Sequence, residues 1–354
     1  MSERDNKPVL VTGGCGFIGC NLADRLAERG DRVLLLDNLA RDGVRENAQW
    51  LKSRHGDRVT ITVADIREPI PVIDAVREAR AVLHLAAQVA VTDSVTDPVA
   101  DFEINARGTL NVLEALRLHN STAPVIFAST NKVYGRLIDD GEIALTGRRY
   151  APTGNGLAGG ISENAALDFY SPYGCSKGTA DQYVHDYARV FGLQTVVMRM
   201  SCIYGPRQFG TEDQGWIAYF LLSAIRGNPL TIYGDGHQVR DALHVSDAVS
   251  AWLAALDHIA LTRGRVFNLG GGPANAISLL ELIDGITDLT GRKMTYRFAD
   301  WRPGDQPWYV SDTRALSTTL GWAPQIFLAD GLRSLHSWLD GRFGSSQDNR
   351  EALA

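Results

Sequence analysis

The stretch VLVTGGCGFIG, Val9 to Gly19, decides the fold. Val9–Thr12 is a short apolar run of strand type, and Phe17–Arg29 repeats apolar residues at helical spacing through Ile18, Leu22 and Leu26. Between them the glycines satisfy two patterns at once, G-x-G-x-x-G (Gly14, Gly16, Gly19) and G-x-x-G-x-x-G (Gly13, Gly16, Gly19). Glycine at a strand-to-helix turn lets backbone N–H groups approach a pyrophosphate at the helix N-terminus. A tight turn alone could need the same residues, so the neighbouring sequence has to decide. Val33–Asp37 (VLLLD) is a second buried strand, and it ends on an acid 18 residues after Gly19, where a carboxylate would hold the adenosine ribose hydroxyls. A carboxylate there would repel a 2′-phosphate, which favours NAD over NADP. Asp65-Ile66, after a third strand, is placed to flank the adenine.

Outward from this turn, strands and helices alternate. Val59–Ala64 and Ala81–Ala86 are expected as the third and fourth strands, followed by a helix at Phe102–His119, a strand at Pro124–Ser129, a helix at Pro172–Phe191 and a strand at Gln194–Met200. The rhythm predicts an α/β fold with a doubly wound parallel sheet (Rossmann-like) covered on both faces. Val245–Leu256 and Val266–Leu269 look like a helix and strand returning to that sheet. The expected division is residues 1–200 plus about 242–270 for an NAD-binding domain, and about 201–241 plus 271–340 for a smaller lobe, with a frayed polar tail at 341–354. Gly135–Ser171, containing TGNGLAGG, is too long for an ordinary connection and is expected to be a lid or insertion framing the ligand.

Composition removes other classes. Hydrophobic residues make up 45% and charged residues 21%, with a net charge of −6, so the chain offers no electrostatic footprint for nucleic acid. No run approaches the ~18 apolar residues that span a bilayer, and the N-terminus is too polar for a signal peptide. The four cysteines (Cys15, Cys20, Cys175, Cys202) lack metal-ligand or disulfide-framework spacing, which points to reduced thiols, a cytoplasmic setting and no metal site. A phosphorylated ligand would need a local basic site.

Tyr173-Gly-Cys-Ser-Lys177 starts a helix after Ser171-Pro172, and i, i+4 spacing puts Tyr and Lys on one face. Tyrosine with its ordinary pKa near ~10 is a poor base at neutral pH, and an adjacent ammonium with a cationic nicotinamide ring would favour phenolate. The strand before it ends in Ser129-Thr130-Asn131-Lys132, at the carboxyl edge where ligands collect, and Thr130 is the hydroxyl expected to bond the reacting oxygen.

These runs, together with HLAAQ (His84–Gln88), STNKVYG (Ser129–Gly135), RDALHV (Arg240–Val245) and FNLGGG (Phe267–Gly272), resemble the extended short-chain dehydrogenases/reductases that modify nucleotide sugars. Within that family, STNKVYG with Leu167–Leu193 and YGPRQF…DQGW is most similar to the branch that epimerises a CDP-linked deoxysugar at C2. The resemblance implies Tyr173 as general base/acid, Lys177 as its electrostatic partner and nicotinamide-ribose ligand, and Thr130 as the substrate-orienting hydroxyl. It implies NAD bound by Gly13, Gly16, Phe17, Ile18, Gly19, Asp37, Asn38, Asp65, Ile66, Leu85, Ala86, Ala87, Gln88, Tyr173 and Lys177. Thr130, Asn131, Arg207, Arg240 and Arg302 would hold the nucleotide sugar, and Asn105 would support active-site water or helix geometry. His84 is read as a hydrogen-bonded strand histidine. Dehydratases of the family resemble STDEVYG, with an Asp-Glu pair that moves protons. Asn131-Lys132 stands there instead, so redox-neutral epimerisation is favoured over dehydration or decarboxylation, with 4-epimerisation of a UDP-sugar the alternative. A homodimer or homotetramer through helices Phe102–His119 and Pro172–Phe191 is expected.

Overall fold

The structure, a computed structural model, describes residues 7–138 and 141–343. Its centre is a seven-stranded parallel sheet. Strands β1 (Val9–Thr12), β2 (Val33–Asp37), β3 (Val59–Val63), β4 (Ala81–His84) and β5 (Val125–Thr130) are joined by Thr195–Met200 and Arg265–Leu269. The order across the sheet is Arg265–Leu269, Thr195–Met200, β5, β4, β1, β2, β3. Strand β1 pairs Val9 with Val33 on one side and with Ala81 on the other. The strand order reverses on either side of β1, and the crevice above that switch point is where such sheets bind ligands.

Burial on both faces explains the unbroken apolar runs in these strands. One face packs the helices Phe17–Glu28, Val44–His55 and Val245–Asp257 around Leu22, Leu26, Leu51 and Trp252. The other packs Pro69–Glu78, Gly108–His119 and Ser171–Phe191 around Val72, Val112, Leu116 and Val184. The doubly wound sheet expected from the sequence is therefore what the chain forms.

A second lobe lies beside the carboxyl edges of the strands. It holds a mixed sheet of Cys202–Tyr204, Val239–His244, Ala276–Ser278 and Trp308–Tyr309, a parallel pair Leu230–Tyr233/Tyr296–Ala299, and helices Trp216–Arg226, Leu279–Thr290 and Leu328–Phe343. Ser278 and Glu281 close a reciprocal capping box at the start of Leu279–Thr290. Helix Arg314–Leu320, expected in the lobe, instead buries Leu316 in the core of the main sheet with Trp322. Of the expected tail, Gly341–Phe343 completes the last helix, and 344–354 lie outside the described residues.

Two further expectations need correction. The helix placed at Phe102–His119 begins at Pro98, where the Asp97 side chain accepts from Ala100 N at 3.0 Å, and it runs through a π-helical turn at Glu103–Arg107 before becoming α-helical at Gly108. The Gly135–Ser171 segment is an insertion but not a lid. Its hairpin, Ile143–Thr146 with Arg149–Pro152, is fastened to the lobe by Tyr150 (to His237 O, 3.0 Å, and Asp235, 2.5 Å) and by Arg149 to Glu281 (2.6 Å). Of the segment's described residues, none from Gly135 to Tyr170 lines either cavity described below.

Candidate active site

Two cavities open at the carboxyl edges of the strands and share Val89, Tyr173, Met200 and Gln214. The first, about 350 Å³, lies over the switch point. The second, about 590 Å³, runs between the sheet and the lobe.

The first cavity is floored by the glycine turn. Gly13 has φ +65° and sits so close to the next strand end that a Cβ would meet Ala86 N at 2.7 Å, while a Cβ on Gly19 would meet Gly13 O at 2.3 Å. Packing within the protein therefore accounts for both. Gly16 is different, because a Cβ there meets only Gly13 O, at 3.2 Å. Its missing side chain leaves the N-terminus of helix Phe17–Glu28 bare toward the cavity, with no side-chain cap and no acid in the first turn. An anion fits such a helix end.

The walls carry the other expected residues. The Asp37 carboxylate accepts from Cys15 N (2.9 Å) and Leu39 N (2.9 Å), which fixes its orientation and leaves lone pairs for a ligand hydroxyl. Asn38 donates to Asp65 (3.0 Å), whose carboxyl is held well below its ordinary range, mainly by hydrogen bonds from the Arg67 guanidinium. Ile66, Leu85, Ala86, Ala87 and Gln88 also line it, and the buried Gln88 Oε1 has no hydrogen-bond partner among the described residues. A bare helix N-terminus, an aimed carboxylate and an unused acceptor fit a dinucleotide.

His84 holds this turn. Thr109 gives its one proton to Asn105 O (2.6 Å), so His84 Nε2–H donates to Thr109 Oγ1 (3.0 Å) and Nδ1 accepts from the Thr12 hydroxyl (2.7 Å). Burial presses its pKa down to about 3, consistent with a neutral ring. Thr12 Oγ1 then receives Leu85 N and Ala86 N, each at 3.2 Å. Asn105, on the π-helical turn, accepts from Gln88 N (2.9 Å) and donates to Ser176 Oγ (3.0 Å), tying the cofactor wall to the tyrosine helix.

Tyr173 forms the partition between the cavities. Lys177, one turn on, donates to Ala128 O at 2.6 Å and lies 4.2 Å from the Phe127 ring centroid. Burial pushes the Tyr173 phenol up to about 12, with Thr130 and Arg41 acting in the opposite sense, and burial takes Lys177 down to about 7. The depressed phenol expected from the Tyr–Lys spacing is thus not a property of the chain alone. Without the cationic ring beside it, desolvation dominates.

The second cavity takes Thr130, Asn131, Lys132, Arg240 and Arg302. Lys132 donates to Gly304 O (3.1 Å) and reaches Asp305 (3.5 Å), which Arg240 also binds at 2.6 Å. Burial alone would raise the Asp305 carboxyl, but Arg240 and Lys132 hold it below its ordinary value. Arg302 lies over the Tyr233 ring at 3.9 Å and pairs with Asp213 at 3.1 Å. The local cations are therefore present, each already matched to a carboxylate. Arg207 is not brought here. It has φ +73°, stacks on Trp50 of helix Val44–His55 at 3.9 Å and lines neither cavity. Sequence reasoning missed Arg41, Gln214, Tyr233 and Met200 as lining residues, since only the packing of distant segments brings them together.

A switch-point cavity with a bare helix end, joined to a lobe cavity through a Tyr–Lys pair, defines a nicotinamide-dependent enzyme of the short-chain dehydrogenase/reductase class. The sequence model of the NAD dependent epimerase/dehydratase family matches residues 9–270, and the chain belongs to that family, with NAD as its cofactor. A CDP-paratose 2-epimerase of Salmonella typhi is 42% identical over 93% of this chain and 98% of its own. The UDP-glucose 4-epimerase of Thermus thermophilus, solved in complex with NAD, superimposes with a TM-score of 0.79 at 33% identity, over 95% of this chain and 99% of that one. A UDP-glucuronic acid 4-epimerase from Bacillus cereus, solved with UDP-glucuronic acid and NAD, gives a TM-score of 0.82 at 26% identity, over 95% of this chain and 100% of that one.

Proposed function

We propose that this enzyme is an isomerase that inverts C2 of a CDP-linked deoxysugar, interconverting sugars of the CDP-paratose and CDP-tyvelose type. The observation that carries this reading is the strand end Thr130-Asn131-Lys132 beside Tyr173. Thr130 and Tyr173 both line the sugar cavity, and the two positions after Thr130 hold a carboxamide and an ammonium bound to Gly304 and Asp305. Dehydration needs a carboxyl acid and base at that place, and epimerisation needs none. The likeness to the 2-epimerase, at 42% identity over nearly the full length, supports C2 and CDP over the UDP-sugar alternative.

Bound NAD supplies a hydride acceptor that later becomes the donor. Tyr173 takes the proton from the C2 hydroxyl and returns it when the opposite face of the sugar is reduced. Thr130 orients the reacting oxygen. Lys177, with two N–H donors left after Ala128 O, holds the nicotinamide ribose and lends positive charge to the phenol. Arg240 and Arg302 grip the diphosphate by exchanging Asp305 and Asp213 for phosphate oxygens. Anchoring at that end leaves the sugar free to turn.

The test is NMR of the purified protein with CDP-paratose in D₂O and no added NAD. Growth of the tyvelose epimer with protium retained at C2 is the expected result. If no epimer forms, even after NAD⁺ is added, the CDP-sugar assignment is wrong and UDP-sugars are tried next. We further infer a homodimer or homotetramer, supported by the exposed Val99, Phe102, Tyr183 and Phe191 on the helices at Pro98–Phe102 and Ser171–Phe191. A cytoplasmic setting is supported by four free cysteines.

A further inference from the structure

The loop after β2 carries an arginine that the mechanism above does not use. Arg41 is exposed and lines the cofactor cavity. Among the described residues no carboxylate comes within ion-pair distance of it, and its hydrogen bond to Gln214 Oε1 of the lobe is a long one, 3.4 Å. Its guanidinium lies within electrostatic reach of Asp93, Asp37 and Asp42 and of the Tyr173 phenol. The same cavity is lined by Gly16, Phe17 and Ile18 at the bare N-terminus of helix Phe17–Glu28.

The loop is built to hold that position. Leu39 has φ +55°, and its N–H bonds the Asp37 carboxylate at 2.9 Å. Gly43 has φ +78°, and a Cβ there would fall 2.2 Å from the Phe209 ring, so the lobe presses directly on the loop. Glu46 is ion-paired with Arg342 of the last helix. Phe209 and Gln214 of the lobe thus hold the loop itself, and Arg342 holds the helix that follows it.

We infer that Arg41 is a cofactor-binding residue, closing over the pyrophosphate of NAD against the N-terminus of helix Phe17–Glu28 with Gln214 as its backing on the lobe side. The two charges of the pyrophosphate would then be met by backbone N–H groups from one wall and a planar guanidinium from the other. Because one of those walls is braced by the substrate lobe, NAD release requires the lobe and the loop to part. Retention of the cofactor over many turnovers follows. The inference rests on NAD as the cofactor and not on the identity of the sugar.

The test reads cofactor binding directly. NAD⁺, ADP-ribose and adenosine are titrated by calorimetry into NAD-stripped protein and into Arg41→Ala and Arg41→Lys variants, with circular dichroism verifying the fold. Loss of a charge-assisted contact should weaken NAD⁺ and ADP-ribose about 10- to 100-fold in Arg41→Ala. Adenosine, which lacks the pyrophosphate, should bind as to the parent, and Arg41→Lys should recover part of the loss. Equal weakening of all three ligands would mean that Arg41 merely supports the loop, and unchanged NAD⁺ affinity would mean that it faces solvent. Either result overturns the inference, whatever sugar the enzyme turns over.

Discussion

The two cavities that meet at Tyr173 are made of different material. The cofactor cavity is built on the ends of consecutive strands and the turns after them, where Gly13, Gly16, Gly19, Ala64, Ala86 and Ala87 put backbone into the wall beside Asp37–Asn38 and Asp65–Ile66. The substrate cavity is walled by long polar and aromatic side chains from segments scattered between Val89 and Asp305, most of them already engaged with one another. A wall of backbone can be altered only by changing the path of the chain. A wall of paired side chains can be altered one exchange at a time, which suits a family whose members share a cofactor and differ in their sugars.

The largest expected effect lies on the boundary between the two. Tyr173→Phe should cost about 10³-fold or more in turnover, the range of a lost general base, while the protein still carries NAD. Retained turnover in the NMR assay would remove Tyr173 from the mechanism. Within the cofactor wall, Gly19→Ala and Gly16→Ala should separate packing from binding. The first drives a methyl against Gly13 O and should lose ~1–3 kcal/mol of stability, seen in a thermal melt. The second should melt like the parent but bind NAD poorly. If both lose stability alike, Gly16 has no special role toward the ligand.

Across the substrate wall, Arg302→Ala should raise KM about 10-fold or more through loss of a charged contact, whereas Arg207→Ala should leave KM alone and cost only ~0.5–1 kcal/mol of stacking on Trp50. Equal effects on KM would return Arg207 to the substrate site. The last effect is one of pH. With its pKa near 7 in the folded chain against 10.5 as its ordinary value, Lys177 binds fewer protons folded than unfolded between those limits. The unfolding free energy of NAD-free protein should therefore rise with pH across that window, by at most ~1.4 kcal/mol per pH unit. Tyr173, pushed up to about 12, acts the other way above pH ~10. Melts at pH 7, 8 and 9 should show the rise, and Lys177→Met should flatten it.

The same contrast explains what the sequence made legible. The glycine turn, the acid ending β2 and the Tyr–Lys helix are local patterns, so their residues sit where the spacing put them. Thr130 followed from its place at a strand end. YGPRQF reads as one motif, yet Arg207 is itself left-handed and stacks on Trp50, while Gln208, its neighbour, lines the substrate cavity. The Gly135–Ser171 insertion misled because glycine content says that a segment can bend and not which surface it is pinned to. Arg41 and Gln214 are 173 residues apart, and no short-range pattern connects them.

The π-helical turn at Glu103–Arg107 bears on how this chain tolerates change in length. A π-turn holds one residue more than an α-helix needs to cover the same rise. Asn105 sits on it and reaches both Gln88 and Ser176, and Thr109 on the next turn completes the His84 chain. Removing any one residue from this turn would give a smoother helix of the kind a protein engineer prefers. It would leave the helical turns on either side in phase while drawing the residues of the turn itself back onto the α-helical path, Asn105 among them. The cofactor wall and the tyrosine helix would then lose the side chain that ties them together, so the irregular turn works like a cam lobe, holding one side chain out of line without shifting the shaft that carries it.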